Sequence, residues 1–196
     1  MRKAVIQRKT AETDISLEIN LDGRGEHRID TTVPFLNHML ELFSKHGMLD
    51  LSLLARGDTE IDDHHLVEDI GICLGEAVKK ALGKKEGISR YGYAVVPMDE
   101  CLSSVAVDIS GRPYLVWNAE FSEQMIGKFN PHLLNEFFKS FSDHSGITLH
   151  IIVNYGRNSH HKAEAVFKAF ARALSSAIKM DKRIKGVLST KGSLDG

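Results

Sequence analysis

His64-His65-Leu66-Val67-Glu68 and His160-His161-Lys162-Ala163-Glu164 are two copies of one pattern, His-His-x-x-Glu, placed 96 residues apart. Both copies open stretches in which apolar residues recur at helical spacing. In a helix, residues i and i+4 lie on one face, so the first histidine of each copy faces its glutamate. The same ligand types at the same spacing in two places predict a metal site.

The adjacent histidines predict more than one metal ion. Neighbouring residues on a helix diverge by about 100°, so one ion can hardly take both histidines of a pair, and the two pairs suggest a dinuclear site. Imidazole suits Zn, Cu, Fe and Ni, whereas carboxylate suits Mn and Mg, so Mn, Fe, Zn and Co all stay open. The alternative is that these histidines have no functional role and simply begin the two helices, with their ring nitrogens hydrogen-bonded to water or carboxylates.

The composition is that of an ordinary globular chain. Its 196 residues are 42% hydrophobic and 26% charged, with 25 basic and 26 acidic side chains. This balance argues against a nucleic-acid partner. No apolar run is long enough to cross a bilayer, and the start of the chain lacks an apolar signal core. Cys73 and Cys101 have no CxxC spacing, so we expect buried free thiols and a cytoplasmic protein.

The two halves of the chain match beyond the histidines. Residues 35–40 align with 133–138, and 44–46 align with 142–144. The helices after the histidine pairs also share apolar positions at spacings of three and four residues, which predicts one buried face on each helix. The paired positions are Ile70 with Val166, Leu74 with Phe170, Ala77 with Ala173, Val78 with Leu174, and Leu82 with Ile178.

This duplication predicts an α+β fold of two tandem copies of a β-sheet/two-helix unit, with the helices on one face of each mainly antiparallel sheet. The predicted divisions are 1–88 for the first repeat, 89–181 for the second and 182–196 for a C-terminal tail. In the first copy we expect a strand at 15–21, a helix at 35–46, a strand at 48–55 and a helix at 63–82. In the second we expect strands at 92–96, 102–109 and 114–121, a helix at 131–143, a strand at 147–154 and a helix at 159–179.

Other side chains could complete the metal shells. His38 and its counterpart in the repeat, Glu136, precede equivalent metal helices, so each could add a ligand. Asp62 and Asp63 could cap the first metal helix or orient metal-bound histidines, and capping is the preferred interpretation.

Taken together, the motifs resemble the imidazoleglycerol-phosphate dehydratase family of histidine biosynthesis, in its stand-alone form. The resemblance runs from about Arg8 to Leu194 and is carried by residues 34–40, 61–69, 97–100, 110–114, 158–164, 167–170 and 189–192. It implies that each repeat is similar to domain 2 of ribosomal protein S5. It also implies a hydro-lyase that dehydrates D-erythro-imidazole glycerol phosphate to imidazole acetol phosphate, through a dimetal-bound imidazolate and a diazafulvene-like intermediate.

The resemblance further implies the composition of the site. Two Mn²⁺ ions per active site would lie at subunit interfaces of a homo-oligomer of about 24 chains. The implied metal ligands are His38, His64, His65, Glu68, Glu136, His160, His161 and Glu164. The family often has histidine where this chain has Glu136, although a carboxylate can still bind Mn²⁺. Glu12 is the implied acid/base, acting with the two histidine motifs as the catalytic residues.

The resemblance assigns the substrate and its phosphate to six residues, which include part of the tail. They are Arg90, Asp99, Arg112, Lys168, Ser189 and Lys191. Phosphate binding needs converging cations and hydroxyl or amide donors, and without the resemblance the four basic residues would be read as unrelated surface charges.

Two other functions are compatible with the histidine pattern. A dinuclear metallohydrolase would use metal-bound hydroxide and would need neither imidazole selectivity nor a phosphate site in the tail. A metal-dependent assembly protein would use the histidine pairs to link subunits. Turnover of imidazole glycerol phosphate to a ketone distinguishes all three.

Overall fold

The computed structural model describes residues 2–194 and has the same element order in both halves. The first half comprises β1 (Lys3–Lys9), β2 (Thr13–Asn20), β3 (His27–Asp30), α1 (Pro34–Gly47), β4 (Asp50–Gly57) and α2 (His64–Leu82). The second comprises β5 (Tyr91–Met98), β6 (Cys101–Asp108), β7 (Tyr114–Asn118), α3 (Leu133–Ser145), β8 (Thr148–Tyr155) and α4 (Ser159–Ala177). The predicted α+β class and the internal duplication are confirmed.

The two four-stranded sheets have equivalent strand orders, β1-β2-β4-β3 and β5-β6-β8-β7. In each sheet the last two strands are parallel and the other neighbours are antiparallel. The strands β1 and β3 were not predicted. They are edge strands, and β3 has only four residues, His27–Asp30, none of which is fully buried. Such a short polar strand carries no alternating pattern.

The helices of the two halves pack against each other as well as on their own sheets. Helix α2 contacts α3, and α4 contacts α1, while α2 lies on β1 and β2 and α4 lies on β5 and β6. All ten apolar positions paired across the repeat are buried, and they belong to one hydrophobic core that runs through both halves. The two halves therefore share one hydrophobic core, in which the helices of one half pack against those of the other.

Small residues allow the closest helix contact. A Cβ added at Gly71 would lie 2.6 Å from the Phe137 carbonyl oxygen, and one added at Gly75 would lie 2.7 Å from that of Phe141. Only glycine lets the α2 backbone come this near to α3. This contact fixes how the helix with the first histidine pair sits against the second half.

Local hydrogen bonds hold the first turns of both histidine helices. The Asn158 side chain accepts from the N–H groups of His160 and His161 at the start of α4. At the start of α2, Asp62 accepts from the N–H of His64 at 2.7 Å, whereas Asp63 makes no side-chain cap hydrogen bond. Such bonds satisfy N–H groups that lack a partner within the helix.

The remaining sequence expectations concern the thiols and membrane spans. Cys73 and Cys101 are free and buried, as predicted. Burial raises the pKa of Cys73 to about 12. Among residues 2–194, no helix combines the length and the apolar character needed to cross a membrane.

Candidate metal centre and phosphate pocket

The α1–α4 site is a group of two histidines and one glutamate where these helices meet. The Nε2 atoms of His38 and His160 lie 3.2 and 3.0 Å from the same oxygen of Glu164, Oε1. One ligand atom from each residue falls within 4.8 Å of the others. Two imidazoles and a carboxylate converging in this way offer the donor types that hold a transition-metal ion.

Glu164 is held in its charged form at this site. Burial raises the pKa of its carboxyl, but hydrogen bonds from Lys168, His38 and His160 outweigh that effect and bring the pKa to about 2. The Nζ of Lys168 lies 2.6 Å from Oε2, so the lysine occupies one carboxylate oxygen and the histidines face the other. A charged carboxylate is the form that ligates a metal.

The first histidine of α2 forms the equivalent pair. The Nε2 of His64 lies 3.7 Å from Oε2 of Glu68, and both side chains are more exposed than Glu164. The rings of His64 and His65 are nearly perpendicular, at 85°, and those of His160 and His161 at 84°. The histidines of each pair therefore have different surroundings, as the helix geometry predicts.

The second histidine of each pair contacts carboxylates from loops at the ends of strands. The Nδ1 of His65 lies 3.0 Å from Asp58 and 3.8 Å from Glu12. The hydrogen bond to Asp58 raises the pKa of His65. Asp58 follows β4 directly, and Glu12 lies in the β1–β2 hairpin. These three residues form a second group whose ligand atoms lie within 4.8 Å of one another.

His161 has an equivalent environment in the second half. Its Nδ1 lies 2.8 Å from Glu100, and its Nε2 lies 3.7 Å from Asp99. The hydrogen bond to Glu100 raises the pKa of His161. Both acidic residues lie in the β5–β6 hairpin, the counterpart of the hairpin that carries Glu12.

Sequence reasoning missed Asp58 as a histidine partner and Glu100 as part of the site. A signal for Glu100 was present, because Glu12 and Glu100 each immediately precede equivalent strands of the repeat. Glu136 lies half-buried in the first turn of α3, and within residues 2–194 it belongs to none of the three groups able to hold a metal. Its role as a ligand stays a prediction.

Four of the six predicted substrate ligands line one pocket of about 340 Å³. They are Arg90, Arg112, Ser189 and Lys191, joined by Ser110 and Thr190. Lys168 and Asp99 lie elsewhere, beside Glu164 and His161 respectively. The tail reaches this pocket because Arg90 donates to the Leu188 carbonyl oxygen at 2.8 Å.

The pocket and the histidines of one chain are far apart. Arg90 immediately precedes β5, and Glu100, which contacts His161, lies two residues beyond the end of that strand. Eight residues of strand span about 26 Å. The contacts of helix α4 lead to the same conclusion. The backbone N–H of Arg90 donates to the carbonyl oxygen of Ala177 at the C-terminal end of α4, whereas His161 lies in the first turn of that helix.

Comparisons with known proteins identify the family of this chain and agree with its fold. The family model described as imidazoleglycerol-phosphate dehydratase matches residues 31–174. The dehydratase of that name from Syntrophus aciditrophicus is 63% identical over 195 residues, 99% of each chain. The one from Bacillus licheniformis is 56% identical over 194 residues, 99% of this chain and 100% of the relative.

Solved structures of the same enzyme share the fold. The dehydratase from Staphylococcus aureus superposes with a TM-score of 0.84 at 42% identity, covering 91% of this chain and 99% of the other. The enzyme from Pyrococcus furiosus, solved in complex with (S)-C348, superposes with a TM-score of 0.83 at 39% identity, covering 96% of this chain and 100% of the other.

The family match and the named relatives make this duplicated α+β protein a hydro-lyase, and its structure has residue clusters that could hold metal at the starts of the repeated helices. The chain belongs to the imidazoleglycerol-phosphate dehydratase family, enzymes of histidine biosynthesis.

Proposed function

We propose that this protein dehydrates D-erythro-imidazole glycerol phosphate to imidazole acetol phosphate, using two metal ions per active site. The observation that carries the proposal is the convergence of His38 and His160 on one charged oxygen of Glu164. The matching His64–Glu68 pair in the other repeat supports a second ion. The proposed function therefore uses both copies of the motif.

The donor set fits Mn²⁺, since it combines imidazole with several carboxylates. The proposed ligands are His38, His64, His65, Glu68, Glu136, His160, His161 and Glu164. When bound, the metal ions supply Lewis acidity, which favours the substrate ring without its N–H proton. The chain contributes the fixed geometry of these donors, with Lys168 holding the far oxygen of Glu164.

The elimination removes a hydroxyl group and a proton that is not next to a carbonyl, so deprotonation alone is a poor route. We propose that the electron-rich ring expels the hydroxyl first, with the electron pair of the C–O bond, and that the departing hydroxide becomes water by taking up the proton equivalent lost from the ring N–H. This gives a diazafulvene-like intermediate. Glu12 then takes the neighbouring C–H proton, and the resulting enol becomes the ketone. Its side chain is half-exposed and lies 3.8 Å from His65, so it can reach a substrate held at the histidines.

The phosphate would bind in the pocket lined by Arg90, Arg112, Ser189 and Lys191. The charge of Arg90 is already shared with Asp108, at 2.7 Å. No carboxylate within residues 2–194 forms an ion pair with Arg112 or Lys191, so their charges are available to an anion. Fixing the phosphate fixes the reacting end of the substrate.

A complete site would need a second chain. The ring and the phosphate of the substrate are joined by a three-carbon chain, which cannot span the roughly 26 Å length of β5 that separates the pocket of one chain from its own His161. This separation supports a homo-oligomer in which one subunit supplies the phosphate pocket and another the histidines. The size of about 24 chains and the cytoplasmic location stay predictions.

Incubation of the purified protein with Mn²⁺ and imidazole glycerol phosphate tests the proposal. We expect loss of one water and formation of the ketone, with phosphate retained on the product. A metallohydrolase would instead release inorganic phosphate, and an assembly protein would leave the substrate unchanged. Either of these outcomes would contradict the proposed function.

A further inference from the structure

The Glu100 carboxylate is held in place by the start of the second histidine helix. Its Oε1 accepts from the backbone N–H groups of Arg157 and Asn158, at 3.1 and 2.8 Å, and from the Sγ–H of Cys101 at 3.2 Å. Its Oε2 faces the Nδ1 of His161 at 2.8 Å. These contacts hold the pKa of Glu100 well below its usual range, the N–H of Asn158 having the largest effect. The carboxylate is therefore fixed in orientation before any ligand binds.

These contacts argue that Glu100 is not itself a metal ligand. The ligand atoms of Glu100, Cys101 and His161 are close enough to surround an ion. An ion placed there would have to displace two backbone N–H donors and one thiol donor from Oε1. It would also have to bind the Nδ1 atom of His161, which already faces Oε2 of Glu100. The arrangement suits a hydrogen-bond acceptor for histidine better than a coordination site.

We propose that Glu100 is a positioning residue, which holds His161 in the tautomer that carries its proton on Nδ1 and so directs Nε2 to the metal. This inference rests on the proposed function, which assigns His161 to the metal. A neutral imidazole donates from one nitrogen and accepts or ligates through the other. An acceptor fixed at Nδ1 therefore decides which nitrogen is free.

The first half of the chain has the same arrangement. Asp58 lies 3.0 Å from the Nδ1 of His65, in a loop unrelated in sequence to the β5–β6 hairpin. The first histidine of each pair differs, because His64 and His160 turn their Nε2 atoms toward the glutamate four residues later. In both repeats, then, a carboxylate outside the motif orients the second histidine.

Replacing Glu100 by glutamine tests this role without changing the shape of the side chain. The amide oxygen of Glu100→Gln can keep the bonds from Arg157 and Asn158 only if its NH₂ group faces His161. That NH₂ group is a donor, so Nδ1 must then lose its proton and Nε2 must gain one. The variant therefore keeps the loop but favours the tautomer that cannot bind metal through Nε2.

The measurement is the affinity of the purified, metal-free protein for Mn²⁺, by competition with a chelator of known affinity. We expect Glu100→Gln to weaken the affinity for the ion bound by His161 by about 10- to 100-fold, which is the usual effect of removing the hydrogen-bond partner of a metal-bound histidine. We expect the thermal midpoint of the metal-free protein to fall no further than in Asp50→Asn, because both substitutions remove the charge of a carboxylate that accepts two backbone N–H groups. Activity should return toward the wild-type level at saturating Mn²⁺, because the substitution changes metal affinity rather than the reacting groups.

Asp50→Asn is the matched control. Asp50 also accepts two backbone N–H groups, from Arg24 and Glu26 at 2.7 and 3.1 Å, but it lies at the end of β4 opposite Asp58. We expect it to leave Mn²⁺ affinity unchanged. Asp58→Asn provides a second test and should weaken binding through His65.

The outcomes separate the inference from the function on which it depends. Wild-type Mn²⁺ affinity in Glu100→Gln, or an equal loss of Mn²⁺ affinity in Asp50→Asn, would overturn the positioning role alone. Failure of the wild-type protein to bind Mn²⁺ would overturn the metal assignment and the inference together.

Discussion

At the scale of single residues, Lys191 and Glu12 allow the two ends of the proposed site to be tested separately. Lys191 lines the pocket formed with the tail. Lys191→Ala should raise KM for the phosphorylated substrate by about 10- to 100-fold, since a hydrogen bond to a charged group is lost. Metal content should not change. Steady-state kinetics and elemental analysis measure both quantities.

Lys182→Ala is a suitable control for this substitution, because Lys182 is an exposed lysine of the same tail that does not line the pocket. It should leave KM at the wild-type value. Loss of metal in Lys191→Ala would show that the pocket has been assigned to the wrong part of the substrate.

Glu12 tests the proton-transfer step. Glu12→Gln keeps the shape of the side chain but removes its ability to accept a proton. We expect kcat to fall by roughly 10²- to 10⁴-fold, the contribution typical of general acid–base catalysis, while Mn²⁺ content and substrate affinity stay near wild type. Glu60→Gln, at an exposed loop position, is the control. Turnover near the wild-type value in Glu12→Gln would rule out the assigned role.

At the scale of elements, the crossing of α2 and α3 determines how the two repeats fit together. In Gly71→Ala the new methyl group would lie 2.6 Å from the Phe137 carbonyl oxygen, and a backbone atom cannot move aside easily. Alanine improves helix propensity by about 1 kcal/mol, but we expect overpacking to win and to lower the free energy of unfolding by about 1–3 kcal/mol. Denaturant unfolding of the metal-free protein measures this change.

Gly47→Ala is the comparison for this prediction. A Cβ at Gly47 would lie 3.1 Å from the Leu49 side chain, a longer contact than that at Gly71 and one made with a side chain, which adjusts more easily than a backbone carbonyl. We expect a change of less than about 1 kcal/mol. Equal destabilisation by the two substitutions would mean that the α2–α3 contact is not packed more tightly than the surroundings of Gly47.

At the scale of the whole molecule, the separation between the phosphate pocket and His161 links activity to assembly. If a metal ion is bound between subunits, its free energy of binding also stabilises the oligomer. Treatment with a chelator should therefore reduce the molar mass measured by light scattering, and adding Mn²⁺ should restore it. A monomer that is fully active in the presence of Mn²⁺ would contradict the shared site.

The sequence by itself predicted the features that depend on local spacing. Helices α1 to α4 and the strands β2, β4, β5, β6, β7 and β8 follow from periodicity and turn residues, and the duplication follows from matching positions such as Ile70 and Val166. The pairing of His64 with Glu68 and of His160 with Glu164 needed only the pitch of a helix. These relations hold within a few residues of chain.

Tertiary structure decided the contacts between residues far apart in the chain. Pairing of β5 with β6, and packing of α4 on that sheet, bring Glu100 to His161, and the path of the tail brings Lys191 to Arg112. Lys168, which the family resemblance grouped with the phosphate ligands, contacts Glu164 within its own chain, and its role in binding phosphate stays a prediction. Side-chain periodicity tells which face of a strand or helix is buried, but only the assembled sheets and helices decide which loops meet at their ends.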